Sequence, residues 1–244
     1  GSNLELIGRA GTGVDNIDME AAASKNIIVM NTPGCNTISA AEHTMSLLLS
    51  MCRQIPQANN SLKSEKWERK SFSGIELFGK TFGIIGLGKI GREVAIRAKS
   101  FGMNLIGFDP IISQETASEL GIKLLRLEEI YPIADFISLH VPLTDETKNL
   151  FSKETIYKCK KGIRIINCAR GGVINEADLL DALNDGHVAG AAIDVFESEP
   201  VTDFGLIKHP NVIATPHLAA STLEAQEKVA VQLGNQILDW IQRQ

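Results

Sequence analysis

The 244-residue sequence lacks several features that would each direct its reading. No stretch approaches the roughly 20 apolar residues of a bilayer-spanning helix. The richest candidate, Met45 to Cys52, holds two serines, so no membrane partner is expected. Positive charge is short as well: 24 Lys and Arg stand against 29 Asp and Glu, a formal net charge of −5. A chain that neutralises phosphate backbones carries the opposite sign, so no nucleic-acid partner is expected. The four cysteines, at 35, 52, 159 and 168, form no C-x-x-C and have no His at zinc spacing. They read as reduced, packed thiols, with no metal site. No internal repeat, low-complexity tract or block of like charge is present, which excludes solenoids and solvated tails. No basic-plus-apolar leader follows Gly1-Ser2, a pair that reads as the scar of a cleaved tag, and the expected compartment is the cytoplasm.

What remains is an ordinary globular balance, 44% hydrophobic and 22% charged. That length suits one large domain, or one domain with an appendage. Short β-branched runs (27–30, 82–85, 105–108, 136–141, 163–167, 191–195 and 212–214) alternate with helical patterns. This alternation predicts an α/β fold, a doubly wound parallel sheet. Ile90, Val94, Ala98 and Phe101 form one helical stripe, and Ser221-Thr222-Leu223-Glu224 reads as a capping box opening a long terminal helix. Turn chemistry at Asn31-Thr32-Pro33-Gly34 predicts a boundary after a small strand-helix-strand opening. Two strands and a helix are too little for a domain, so that opening reads as an addition to the large sheet or as the remnant of a second lobe.

The run Thr81 to Ile85 leads directly into Gly86-Leu87-Gly88-Lys89-Ile90-Gly91, a G-x-G-x-x-G between a strand and a helix. Gly86 suits the tight turn, Gly88 lets backbone approach a pyrophosphate, and Gly91 lets the helix pack on its strand. The next strand ends at Asp109, 18 residues beyond Gly91. A carboxylate there accepts from ribose hydroxyls and repels a 2′-phosphate, which favours NAD over NADP.

Ligands of such sheets bind beyond the carboxyl ends of the strands. Three polar residues stand there: Arg170, Glu199 and His217. His217 suits a base that takes a hydroxyl proton as hydride leaves, Glu199 suits a carboxylate that favours the resulting imidazolium, and Arg170 suits a fork for an α-carboxylate. Taken singly, a His after a strand is more often a satisfied loop residue, and Arg with Glu more often a structural ion pair.

Together, Gly86 to Gly91 with Asp109, Asn167-Cys168-Ala169-Arg170-Gly171-Gly172, Asp194-Val195-Phe196 with Glu199-Pro200, and Pro216-His217-Leu218 resemble the D-isomer-specific 2-hydroxyacid dehydrogenases. The resemblance implies a catalytic set of Arg170, Glu199 and His217. It implies Asp194 and Thr12 beside the nicotinamide and His140 with Pro142 beside the adenosine. Further cofactor contacts are implied at Lys89, Ile90, Cys168, Ala169 and Ala219. Ala219 stands where many relatives have Gly, and Val141 where some carry a hydroxyl. Arg9-Ala10-Gly11-Thr12-Gly13-Val14-Asp15-Asn16, and Trp67-Glu68-Arg69 with Glu76 to Thr81, are similar to the branch acting on a phosphorylated 2-hydroxy acid. Arg9, Gly11 and Gly13 would then meet the substrate, together with Arg170.

The implied organisation is residues 3–33 as the remnant of a substrate lobe, 34–220 as the NAD-binding Rossmann domain and 221–244 as a helix leading back toward that lobe. Such a chain is expected to bind NAD with little or no turnover. A homodimer or higher homo-oligomer is implied, and Met45, Leu48, Leu49, Cys52 and Trp67 offer apolar surface for it. The alternatives are a glyoxylate or hydroxypyruvate reductase of the same family, or a dehydrogenase-like corepressor that senses NAD.

Overall fold

The computed structural model describes residues 3–243, so Gly1-Ser2, read above as a tag scar, lies outside them. In chain order the elements are β1 (Leu6–Gly8), α1 (Met19–Ser24), β2 (Ile28–Met30), α2 (Thr37–Arg53), α3 (Ile55–Lys63), β3 (Thr81–Ile85), α4 (Lys89–Ser100), β4 (Asn104–Phe108) and α5 (Gln114–Glu119). They continue with β5 (Lys123–Leu124), α6 (Leu127–Ile130), β6 (Phe136–Leu139), α7 (Lys153–Lys158), β7 (Ile163–Asn167), α8 (Glu176–Asn184), β8 (Val188–Ile193), β9 (Val212–Ala214) and α9 (Leu223–Ile241). None of these helices is long and apolar enough to cross a membrane. The chain divides into two compact units, one running to Ala40 and resuming at Ala219, the other spanning Ala41–Leu218.

In the first unit β1 and β2 pair in parallel, Leu6 opposite Ile28. Asp18 caps α1 by accepting from the Ala21 amide at 2.8 Å. A Cβ on Gly8 would lie 3.2 Å from the Leu233 side chain, which shows how closely α9 covers β1. The Cys35 thiol also reaches α9, donating to Gln232 Oε1 at 2.7 Å. The expected capping box at Ser221 does not form. The cap is Thr222, whose hydroxyl accepts from the Ala225 amide at 3.2 Å. The Thr222 amide itself is turned back onto the Ala220 carbonyl, so the helix starts one residue later and Glu224 falls outside the reciprocal position.

The second unit holds a seven-stranded sheet in the order β5-β4-β3-β6-β7-β8-β9, every pair parallel. All four residues of β6 are buried, as are five of the six in β8, which is the burial expected of a parallel sheet covered on both faces. Phe82 and Phe136 meet edge to face at 6.5 Å in this core. β5 is too short, at two residues, for a periodicity to have announced it. β8 begins at Val188, earlier than the expected 191; Ala189 and Gly190 carry little β-propensity, so the pairing with β7 and not the local sequence extends the strand there.

The apolar stripe on α2 needs correction. Met45, Leu48 and Cys52 are 5, 0 and 3% exposed, already buried within this chain, so they form no free surface. Leu49 is partly buried, while Trp67 is 81% exposed. Burial also pushes the Cys52 thiol up to about 11 and that of Cys159 to about 12, leaving both as neutral packing groups.

Candidate active site at the carboxyl ends of the strands

From β3 the chain runs outward to β4 and β5, then returns to place β6 on the other side of β3. That reversal opens a crevice beyond the ends of β3 and β6. Gly86, just past β3, has φ +92°, and a Cβ there would sit 2.4 Å from the His140 carbonyl oxygen just past β6. Only glycine lets the two segments meet in this conformation. A Cβ on Gly91 would lie 2.0 Å from the Gly86 carbonyl oxygen, so α4 also rests directly on the turn. Gly88 differs: space stands open where its Cβ would be, and no side chain caps α4 at this residue. The first amides of α4, from Lys89 and Ile90 on, have no intrahelical acceptors, and a phosphate fits that combination of open space, donors and helix dipole.

Asp109 is bound into the turn. Its Oδ2 accepts from the Leu87 amide at 2.7 Å, and Oδ1 accepts from Ile111 and Ile112 at 2.9 and 3.2 Å. A carboxylate offers about four lone-pair sites, so three amides orient it while it can still accept from a hydroxyl. His140 Nε2 lies 2.9 Å from the buried Ser138 hydroxyl, and burial lowers the imidazole to about 4, so the ring is neutral at pH 7. Pro142, two residues on, has its carbonyl held by Thr147 Oγ1 at 2.6 Å.

The segment after β7 is shaped by Asn167, which the sequence showed as part of a motif but without a role. Asn167 donates to the Arg170 carbonyl at 2.9 Å and accepts from the Ala169 amide at 3.0 Å, folding the loop that presents Arg170. The Arg170 guanidinium itself donates to the Ala169 carbonyl at 2.7 Å. Cys168 is buried, and burial raises its thiol to about 12, so it serves as a neutral wall.

Asp194 is fully buried, and Oδ1 accepts from Thr215 Oγ1 at 2.5 Å, the Leu218 amide at 2.8 Å and His43 Nε2 at 3.2 Å. Its backbone carbonyl takes the His217 amide at 2.9 Å. Asp194 therefore orders the turn that carries His217. Since the Thr215 hydroxyl spends its proton on Asp194, it accepts from His43 Nε2 at 3.0 Å, which makes that nitrogen the protonated one. Neither His43 nor Thr215 stood out in the sequence, because nothing local connects α2 with the ends of β8 and β9.

His217 adopts φ +54°, a left-handed conformation uncommon outside glycine and held here by its amide bonds to the Asp194 and Thr215 carbonyls. Nδ1 of the ring lies 2.7 Å from Glu199 Oε2, while Glu199 Oε1 accepts from the Phe196 amide at 3.0 Å. The pair lines an open cavity of about 710 Å3 whose other walls, Thr215 apart, are apolar and include Phe196, Pro200, Phe204 and Pro216. One unit thus gathers Gly86 to Gly91, Asp109, His140, Arg170, Asp194, Glu199 and His217 at the strand ends.

Arg9, Gly11, Thr12, Gly13 and Ala219 belong to the other unit. There Arg9 curls over Gly11 and donates from Nη1 to the Ala10 carbonyl at 2.7 Å. Thr12 donates to Asn36 Oδ1 at 2.8 Å, and the Thr12 carbonyl accepts from Asn31 Nδ2 at 2.8 Å, which pins the loop. Ala219 is not among the positive-φ residues, so its Cβ in place of a glycine costs no strain, and its carbonyl accepts from Ser39 at 2.6 Å.

Comparison with known proteins agrees with this geometry. Residues 45–219 match the family model described as D-isomer specific 2-hydroxyacid dehydrogenase, NAD binding domain. The chain is 55% identical over 239 residues to a D-3-phosphoglycerate dehydrogenase of Bacillus subtilis, covering 98% of this chain and 46% of that protein. It therefore spans about half the length of the curated relatives it matches. Among solved structures, a glyoxylate reductase of Paecilomyes thermophila superposes with TM-score 0.89 at 33% identity, covering 97% of this chain and 72% of that one. The D-lactate dehydrogenase of Aquifex aeolicus, complexed with NAD and lactic acid, gives TM-score 0.90 at 31% identity, covering 98% and 77%. The cofactor is NAD, and this chain belongs to the D-isomer-specific 2-hydroxyacid dehydrogenase family, of which it carries the NAD-binding domain.

Proposed function

We propose that the protein oxidises D-3-phosphoglycerate to 3-phosphohydroxypyruvate with NAD, the entry step of phosphorylated serine biosynthesis. NAD, when bound, supplies the hydride acceptor. The glycine turn and the amides of α4 hold its pyrophosphate, and Asp109 accepts from its ribose. Arg170 fixes the substrate's α-carboxylate as a planar fork. Because His217 Nδ1 is engaged by Glu199, the ring takes the substrate's hydroxyl proton at Nε2, and Glu199 stabilises the imidazolium. Asp194 orders this turn. On the resemblance to the family, Asp194 and Thr12 are assigned to the nicotinamide, and Arg9, Gly11 and Gly13 to the substrate's phosphate. The observation that carries the reading is the His217–Glu199 pair at 2.7 Å on the strand ends that also carry the dinucleotide turn.

The 55% identity with a D-3-phosphoglycerate dehydrogenase supports the phosphorylated substrate. A second reading, a glyoxylate or hydroxypyruvate reductase, draws on the structural likeness to a glyoxylate reductase and would use the same His, Glu and Arg. Arg9 separates the two, since only a phosphate needs it. The proposal includes a cytoplasmic setting and a homodimer or higher homo-oligomer, for which the 81% exposure of Trp67 is the supporting observation. The test is NADH formation from 3-phosphoglycerate set against NADH consumption with glyoxylate and hydroxypyruvate, on a form extended to the full length of the relatives. Preference for 3-phosphoglycerate that Arg9→Ala abolishes supports the proposal. Equal or greater turnover of the unphosphorylated acids overturns it.

A further inference from the structure

The peptide joining Phe196 to Glu197 is a junction for every part of the candidate catalytic set. On its amino side, the Phe196 amide donates to Glu199 Oε1, the carboxylate whose other oxygen meets His217. Its carbonyl backs onto the Arg170 loop, where a Cβ on Gly171 would lie 1.7 Å from the Phe196 oxygen. The third connection comes from α8, outside the catalytic set. Glu176 Oε1 accepts from the Glu197 amide at 2.6 Å, and Glu197 Oε1 accepts from the Glu176 amide at 2.9 Å. The two glutamates thus clasp each other's backbones, and two successive amides of the turn leading to Glu199 are each held by a carboxylate.

The cost of this arrangement points to a purpose beyond joining helix to loop. Glu176 is half-buried, and burial raises its pKa, with the charges of Glu197, Asp203 and Glu199 adding to the rise and its bond to the Glu197 amide opposing it. A simple helix clasp would not need four carboxylates close together, since Asn175 already caps α8 by accepting from the Asp178 amide at 3.0 Å.

We propose that Glu176 is a positioning residue: by holding the Glu197 amide it fixes the Phe196–Glu199 turn in the form that aims Glu199 at His217. The inference deepens the proposed function, and its direct readout is the state of the imidazole rather than turnover. Without the Glu176 oxygen the Glu197 amide is released, the turn relaxes, and Glu199 stabilises the imidazolium less well.

The experiment follows the His217 ring resonances by NMR across a pH titration in this chain, unmodified and with Glu176→Ala or Glu176→Gln. Glutamine keeps an acceptor oxygen for the Glu197 amide while removing the charge. Expected are a lower His217 midpoint for Glu176→Ala and rescue toward the parent value by Glu176→Gln. In the full-length enzyme, the acid limb of the pH profile should move with it. If Glu176→Ala lowers Tm while the His217 midpoint stays where it was, Glu176 is a structural clasp only and the proposal is wrong. If Glu176→Gln shifts the midpoint as much as Glu176→Ala, the charge and not the clasp is responsible, which also overturns it. Should Glu176→Ala fail to fold, Glu176→Asp, which draws the carboxylate back from the Glu197 amide by one methylene while keeping the charge, carries the test: a lowered His217 midpoint supports the proposal and an unmoved one overturns it. A catalytic base other than His217 would contradict the proposed function without moving this titration, so the two failures are distinguishable.

Discussion

Replacing His140 by Asn should flatten the acid side of the stability profile, and the size of the effect follows from one partly buried ring. Burial lowers the imidazole from its ordinary 6.5 to about 4, whereas the unfolded chain keeps it near 6.5. Between those values only the unfolded state takes up the proton. The contribution of neutral His140 is therefore complete above about pH 6.5 and is lost as pH falls toward 4, because protonation favours the unfolded chain throughout that window. At about 1.36 kcal/mol per pH unit, the loss from this residue reaches about 2 kcal/mol by pH 5 and about 3 kcal/mol by pH 4. Many carboxylates titrate over the same range, so the informative quantity is a difference of slopes. Urea unfolding at pH 7, 6 and 5 should show the parent losing about 2 kcal/mol more than His140→Asn. The variant's absolute stability is not the readout, since it also alters the bond to Ser138. Parallel profiles for the two chains would refute the reasoning and show that the ring gives up its proton in the folded state as readily as in water.

Further outcomes are expected at four positions. Asp109→Ala should weaken NAD binding by roughly 10- to 100-fold and narrow the gap to NADP, as calorimetry with both cofactors would show. Asp109→Asn, which can still accept from the Leu87 amide, should narrow the gap with a smaller loss. Gly91→Ala forces a methyl group against the Gly86 carbonyl and should cost about 1–3 kcal/mol by urea unfolding, with NAD binding lost alongside. Leu48→Ala should destabilise the chain by about 2–5 kcal/mol. Trp67→Ala should leave stability within about 0.5 kcal/mol yet lower the light-scattering mass of the assembly, and an unchanged mass would remove Trp67 from the contact.

The features readable in the sequence were those encoded locally. A strand, a glycine turn and a helix stripe occupy contiguous residues, so the dinucleotide turn and the acid at Asp109 could be located by spacing alone. The chemistry of Arg170, Glu199 and His217 could be suggested from their places after strands, but singly they had ordinary explanations until 2.7 Å joined two of them. His43, Thr215 and Glu176 gave no signal, and Asn167 showed only as part of a motif, with no role. Each acts through a partner far away in sequence or through a main-chain contact, and neither periodicity nor composition registers that. The α2 stripe shows the reverse limit. An apolar face is visible as a pattern, but whether the chain itself covers it depends on the tertiary packing, which buries Met45, Leu48 and Cys52. The α9 cap slipped by one residue because both Ser221 and Thr222 can cap a helix, and the backbone turn at Ala220 decided for the weaker of the two by type.

The central claim is that His217, paired with Glu199, takes the proton as hydride leaves the substrate for NAD. Its most direct test is single-turnover transfer from 3-phosphoglycerate carrying deuterium on the reacting carbon, in full-length enzyme with and without His217→Asn, at matched NAD occupancy. The account predicts an NAD affinity unchanged within about 2-fold and a transfer rate reduced by roughly 100- to 10,000-fold in the variant. A variant that transfers deuteride at the parent rate would contradict it.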